Sequence, residues 1–432
     1  MKDRLSIIIG SFLYVVLLTW TYIFLINPSA EYFGFTFNSN IPIAFFIVFI
    51  TLAILPSLWL PIRYNRVSQI LIWLIYILVY IPTCLVPMVT INVPLEFLLL
   101  FVLCLLISLS ILQAFNHLPL LPILRLPLSL RSFWFVFLLI SFVIYIYIIN
   151  TFGIKFQMVS LFDVYDIREQ YKDALRTDGL VGYAINWASR ICNGVLFVFG
   201  LYRRNILLLI LGLFGWFLLF SITGFKSVVF YPVLLFICKY LFEVRTKNLF
   251  KYLIWGICSG ISICIIIEIL FDFSALRILF IQREIIINGL LTGYFYEYFS
   301  QNPKALLGYS ILKDIVTYPY SDTPSNLIGN VYFGSLGTTQ ANVNIWADGY
   351  SNFGHLGIIG STIITGIYFW IYDSLTKNYN LPVRSLLIII PSLSLISSGI
   401  LTALFTYGLV FMLIICWLLP NIYSKENKVK NG

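Results

Sequence analysis

Apolar runs of about 20 residues recur from one end of this chain to the other, and nearly every charge falls between them. A run of that length crosses a hydrocarbon core as one helix whose backbone groups satisfy one another without water. Of the 432 residues, 60% are hydrophobic and only 10% charged, against the roughly 25% charged residues of water-soluble domains. The bilayer is therefore the solvent, and the expected fold is an all-α polytopic integral membrane protein. Spans are predicted near 5–26, 41–61, 68–88, 94–115, 132–152, 181–201, 205–222, 227–242, 250–270, 350–372, 385–402 and 404–421. That makes about 12 transmembrane helices, or 11 if the last short pair does not cross twice. The first run is too long for a signal-peptide core and no small-residue cleavage site follows it, so it is expected to be retained.

The charges orient these spans. With both termini in the cytoplasm, the short turns on that side hold most of the 27 Lys and Arg, and the basic tail Lys425 to Lys430 joins them. The net charge of +9 follows from this bias, and nucleic-acid binding is not expected. A single membrane domain, 1–432, is expected to expose two long outer loops, 153–180 and 271–349. Within the second, Ser274 to Phe299 reads as an amphipathic stretch lying along the membrane face. The outer loops hold cations that topology does not require: Arg168, Lys172 and Arg176, then Arg277, Arg283, Lys304 and Lys313, with Lys226 on a short hairpin. An anionic, lipid-linked substrate is the first explanation to consider.

Signatures of soluble enzymes are absent: no phosphate-binding glycine loop, no HExxH, no GxSxG and no Asp-x-Asp pair. Two histidines cannot build a His-rich metal centre, so a metal-independent mechanism without cofactor is expected. The seven cysteines show no CxxC spacing and read as packing residues. Arg277 and Arg283 combine a permanent charge with a planar fork of donors, which suits phosphate at a lipid–water boundary. Alternatively they reach for headgroups or pair with Asp272 and Glu284. Lys226 stands in Thr223-Gly224-Phe225-Lys226-Ser227, a turn that glycine permits and that would hold a point charge at the outer surface, as a contact or an anchor. Arg168, Lys172 and Arg176 fall four residues apart, as one basic stripe of a charged helix that is otherwise a solvated face. Asp348 and His355, seven apart, share a face if the helix starts early; Asp348 could instead be an N-cap. His355 is a candidate acid/base. Gly354, Gly357 and Gly360 would form a smooth strip for helix contact. Arg190 and Glu268 are expected within or near the bilayer, lining a cavity or pairing with one another.

Three stretches resemble the O-antigen polymerases, the Wzy-type oligosaccharide repeat-unit polymerases of bacterial inner membranes. They are Thr223 to Ser227; Arg277-Ile-Leu-Phe-Ile-Gln-Arg283 with Tyr294-Phe-Tyr-Glu-Tyr-Phe-Ser300-Gln-Asn302-Pro303; and Asp348, Asn352-Phe353-Gly354, Gly357 and Gly360. The resemblance covers most of the chain and implies a membrane-embedded, lipid-linked glycosyltransferase architecture with its active site facing the periplasm. It implies transfer of the growing glycan from undecaprenyl diphosphate to an incoming lipid-linked repeat unit, in contact with membrane lipid and beside a chain-length-regulating co-polymerase of the Wzz type. Arg277, Arg283 and Lys226 would then stabilise the departing diphosphate, with Arg168, Arg176 and Arg190 as further substrate contacts. His355 and Asp348 would activate the acceptor hydroxyl, and Tyr296 with Tyr294 and Tyr298 would stack on sugar or mark the interface. Lysine stands at 226, where the family commonly has arginine, which puts a bidentate contact there in doubt. An O-antigen ligase shares the same architecture, and a lipid-linked oligosaccharide flippase or another transporter is the alternative of a different class.

Overall fold

A computed structural model describes residues 2–153, 179–244, 246–334 and 340–420 of the chain. The described residues form helices joined by turns and loops, without a β-strand, and 11 helices are long and apolar enough to cross a membrane. In chain order these are α1 (Lys2–Phe33), α3 (Val67–Thr90), α4 (Leu95–Phe115), α5 (Leu130–Phe152), α6 (Leu180–Arg203), α7 (Ile206–Thr223), α8 (Lys226–Val244), α9 (Leu249–Phe271), α10 (Arg277–Gln301), α12 (Ile345–Thr376) and α14 (Ile400–Leu418). Two shorter apolar helices, α2 (Ile43–Leu58) and α13 (Leu381–Ser397), and the short α11 (Pro324–Phe333) complete the set.

The number agrees with the sequence reading, but the membership differs. Two predicted spans are the short α2 and α13. The segment expected to lie along the membrane face falls in α10, a 25-residue helix that is also long and apolar enough to cross. Its mean hydropathy over the most apolar stretch is 1.2, the lowest of the eleven, and Arg277, Arg283, Glu284 and Glu297 interrupt its apolar run.

Contacts group the chain into two compact units, each visited more than once: Met1–Leu118, Lys247–Trp370 and Leu395–Ile400 in the first, and Pro119–Thr246, Ile371–Ser394 and Leu401–Gly432 in the second. At the heart of the first unit is α3, whose apolar stretch is 89% buried. Gly289 and Gly293 of α10 let that helix lie directly on the Pro82 carbonyl and the Pro87 ring of α3. A side chain at Gly289 would strike backbone, so this close crossing requires glycine.

The second unit is organised around α6, 78% buried over its apolar stretch. Gly212 and Gly215 bring α7 against Asn193 and Phe197 of α6. In both central helices a π-helical turn interrupts the α-helix, Tyr76–Tyr80 in α3 and Ala188–Cys192 in α6. Such a turn frees carbonyls that lipid cannot satisfy. Side chains from neighbouring helices supply the donors: Tyr14 to Ile77 (3.0 Å) and Asn288 to Leu78 (3.0 Å) in the first unit, Trp216 to Ser189 (2.7 Å) in the second.

Candidate functional site

The first unit holds a cavity of about 850 Å³ onto which Arg277, Gln282, Arg283 and Glu284 all open, with Ser29 and an aromatic wall of Tyr32, Phe33 and Phe35. Its geometry starts at Asp272. This residue ends α9 in a left-handed conformation (φ 53°) and turns the chain, so that Arg277 returns to Glu268 nine positions earlier. The Arg277 Nε–H donates to both Glu268 carboxylate oxygens at 2.9 and 2.7 Å. Its two terminal nitrogens donate to Gln282 Oε1 (3.0 Å) and Ser29 Oγ (3.2 Å). Arg277 is only 2% exposed.

The contact to Gln282 depends on the backbone. Residues Arg277–Ile286 form a π-helix, whose wider turn aligns positions five apart. In an α-helix those positions would stand about 140° apart. A guanidinium has five N–H groups, and this network uses three of them, so two terminal N–H groups remain for a ligand in the cavity. Arg283 opens onto the same space but is exposed, with no ion-pair partner among the described residues. The site thus combines one buried, ion-paired cation with one exposed cation whose neighbour on the cavity is Glu284. In place of the alternative in which the two arginines pair with Asp272 and Glu284, Arg277 takes Glu268, because the turn at 272 brings that side chain alongside, while the Arg283 charge acts on its neighbour Glu284.

A second arrangement in the first unit surrounds Asp348 and His355. Helix α12 is broken at Phe353 (φ −138°) and Gly354 (φ 62°). Trp346 Nε1 nevertheless donates to Thr362 Oγ1 at 2.9 Å, although 16 residues of straight helix would separate them by about 24 Å. The chain therefore folds back on itself, and the two arms touch at Gly349 and Gly357. This corrects three expectations. Asp348 and His355 do not share a continuous helical face, since the reversal falls between them. The helix is N-capped by Asn344, whose Oδ1 accepts from the amides of Trp346 (3.0 Å) and Ala347 (3.2 Å), and not by Asp348. Of the three glycines, Gly357 makes the close contact, Gly354 makes the reversal, and Gly360 faces open space.

The break leaves carbonyls at the end of the first arm without helical partners. Ala305 donates to Ser351 O (2.9 Å), Leu306 to Asn352 O (3.3 Å) and Leu307 to Asn352 Oδ1 (2.8 Å). To deliver these amides Leu306 and Leu307 adopt left-handed conformations (φ 51° and 57°), a strain that the saturated carbonyls offset. Asp348 Oδ1 accepts from the Tyr309 hydroxyl at 3.2 Å, and its carboxylate packs on the Cα of Gly399. Desolvation and the neighbouring Asp348 carboxylate push the Tyr309 hydroxyl well above the ordinary tyrosine range, so it stays a donor. His355 and Lys304 both contact the Tyr350 ring, at 5.3 Å between rings and 3.9 Å from the ammonium. His355 Nε2 is shut off from solvent, with no hydrogen-bond partner among the described residues. Burial brings Lys304 down to about 8. Neither Asp348 nor His355 lines the arginine cavity.

Tyr296 is 3% exposed, donates to Phe97 O (2.8 Å) and packs on Phe101 and Tyr350, so it belongs to the core. In the second unit, Lys226 opens α8 directly after the turn at Gly224 (φ 63°) and is half-buried. Arg190 lies over the Tyr407 ring at 4.3 Å and donates to Ile390 O at 3.4 Å, while Glu268 takes Arg277, so the expected Arg190–Glu268 pair gives way to these partners. Arg168, Lys172 and Arg176 lie outside the described residues. Glu284 and Tyr309 were not singled out as site groups by the sequence, and Lys304 and Asn352 were noted only as an outer cation and as part of a motif. A carboxylate one position after Arg283 was the available signal for Glu284, whereas Tyr309 and Asn352 meet only through the folded loop. Compared with family models, with curated proteins and with solved structures, the chain matches none.

Proposed function

We propose that this multi-pass membrane protein joins lipid-linked oligosaccharide repeat units at the outer face of a bacterial inner membrane, as a polymerase of the Wzy type. The observation that carries the reading is the presence of a buried, ion-paired arginine and an exposed one on one cavity with the aromatic side chains of Tyr32, Phe33 and Phe35. The reaction breaks the bond between the anomeric carbon and the diphosphate oxygen, and the electron pair leaves with the diphosphate. Negative charge grows on that group as the bond lengthens, and the pre-oriented Arg277 guanidinium together with the nearby Arg283 charge stabilises it. The acceptor hydroxyl oxygen attacks the anomeric carbon, and its proton needs a base. Glu284, on the same cavity, is better placed for that role than His355 or Asp348.

The test is a surface-polysaccharide ladder from a strain lacking the gene, with and without a complementing plasmid. A core-plus-one-repeat band that returns to a ladder on complementation is the expected result. An intact ladder in the deletion strain would overturn the reading. Loss of every band above core would point to a ligase or a flippase. One observation favours transport as a second reading: the broken α12 with its carboxylate, since transporters build substrate and ion sites on interrupted helices. Lipid-linked oligosaccharide held on the inner leaflet would then be found in the deletion strain.

A further inference from the structure

The cavity of the first unit has two unlike walls. Helix α10 gives it Arg277, Gln282, Arg283 and Glu284, and the end of α1 with the turn after it gives Ser29, Tyr32, Phe33 and Phe35. A phosphate group needs only the first wall. At about 850 Å³ the space lies near the top of the range for pockets that enclose a whole small molecule, so a diphosphate alone would leave much of it empty.

The aromatic wall is fixed in its backbone and bare in its rings. Gly34 takes a left-handed conformation (φ 80°) and closes the turn with its N–H on Glu31 O at 2.8 Å. The Tyr294 hydroxyl of α10 donates to Gly34 O (2.8 Å), Asn27 Nδ2 to Phe35 O (2.8 Å) and the Tyr22 hydroxyl to Thr36 O (2.6 Å). A side chain at Gly34 would strike the Tyr294 hydroxyl, so the turn lies directly on α10. Phe35 packs into the core and is 2% exposed. Tyr32 and Phe33 are 80% and 49% exposed, with their ring centroids 4.5 Å apart. Open rings on a backbone already pinned lose little freedom when a ligand covers them.

A pyranose suits such rings. One of its faces is a patch of C–H groups that meets the electron-rich face of an aromatic ring, while the hydroxyls at its edge still need donors and acceptors. Arg283 and Glu284, both exposed on the other wall, supply a donor and an acceptor. The spacing is also right. Ser29, which accepts from Arg277 at 3.2 Å, precedes Tyr32 by three residues, at most about 11 Å of chain.

We propose that Tyr32 and Phe33 are the platform for the sugar ring attached directly to a diphosphate at Arg277, so that the ligand of this cavity is a pyranosyl diphosphate. The proposal rests on the polymerase reading for the lipid diphosphate itself. The experiment measures binding to the full-length protein in nanodiscs of farnesyl diphosphate, bare or carrying a single glucose, galactose or N-acetylglucosamine. The best sugar-bearing probe should bind about ten-fold more tightly than the bare one. Tyr32→Ala with Phe33→Ala should abolish that gain, while affinity for bare farnesyl diphosphate and the thermal midpoint stay as in wild type. Tyr32→Phe should keep the gain, because the ring and not the hydroxyl supplies it. Equal binding of bare and sugar-bearing probes by wild type, or a gain that survives the double variant, would overturn the platform and leave the diphosphate site standing. A double variant that also loses the bare probe would overturn it too, since the rings would then hold the prenyl chain. Failure of every probe to bind wild type would remove the polymerase reading together with the platform.

Discussion

Two arginines within membrane helices are compensated in opposite ways. Arg277 in the first unit is 2% exposed and held by the Glu268 carboxylate, with Gln282 and Ser29 filling out its donors. Arg190 in the second unit has a ring face and one carbonyl. An ion pair neutralises the charge and orients the fork, leaving two N–H groups directed by geometry alone. A ring holds the cation without neutralising it. The difference separates a group positioned for use from one that is only accommodated, and it places the functional emphasis on the Arg277 cavity.

The largest effect should come from breaking the ion pair. Glu268→Ala or Arg277→Ala alone strands a buried charge and should cost about 3–5 kcal/mol, read as a fall in the thermal midpoint of the purified protein. The double variant should recover much of that stability, since neither charge is left without its partner, yet should make no long-chain glycan. Recovery of both stability and polymer would reduce the pair to a structural one. Replacing Tyr407 with leucine should be milder, about 0.5–2 kcal/mol, because Arg190 retains its carbonyl contact. A cost as large as that of Glu268→Ala would erase the contrast between the two arginines.

A smaller effect involves Lys304. Burial lowers its folded-state value to about 8 from the ordinary 10.5. Between those values the unfolded chain binds more protons, so stability rises with pH across that window, and below pH 8 the full penalty for the buried charge is present. Thermal midpoints of wild type and Lys304→Met should therefore converge between pH 8 and 10, with the methionine variant ahead at pH 7. A gap that stays constant with pH would mean that Lys304 is not desolvated.

Most of the helices were legible because an apolar run of membrane length has one solution in lipid. Helix α10 was obscured by the charges that line the cavity, which lower its hydropathy as they equip the site. Arg277 and Arg283 were legible as two arginines close in sequence, whereas their opening onto one cavity depends on the folded chain. The partnership of Arg277 with Glu268 was not, because it depends on the left-handed turn at Asp272 and on π-helical spacing. The reversal at Phe353 and Gly354 was also hidden: a glycine series before a span reads equally well as a packing strip. Its true role emerges only with the loop residues Ala305 to Leu307 that saturate the broken end.

Arg283 gives the cleanest test, because it is exposed and makes no ion pair of hydrogen-bonding length among the described residues, so its loss should change stability by no more than about 0.5 kcal/mol. The decisive measurement reconstitutes the purified chain in liposomes with a lipid-diphosphate-linked repeat unit and resolves the products by chain length. Wild type should form glycans longer than the starting unit, and Arg283→Ala should form none while keeping the wild-type thermal midpoint. Polymer of normal length from the alanine variant, or none from the wild type, would contradict the assignment of this cavity to glycan transfer.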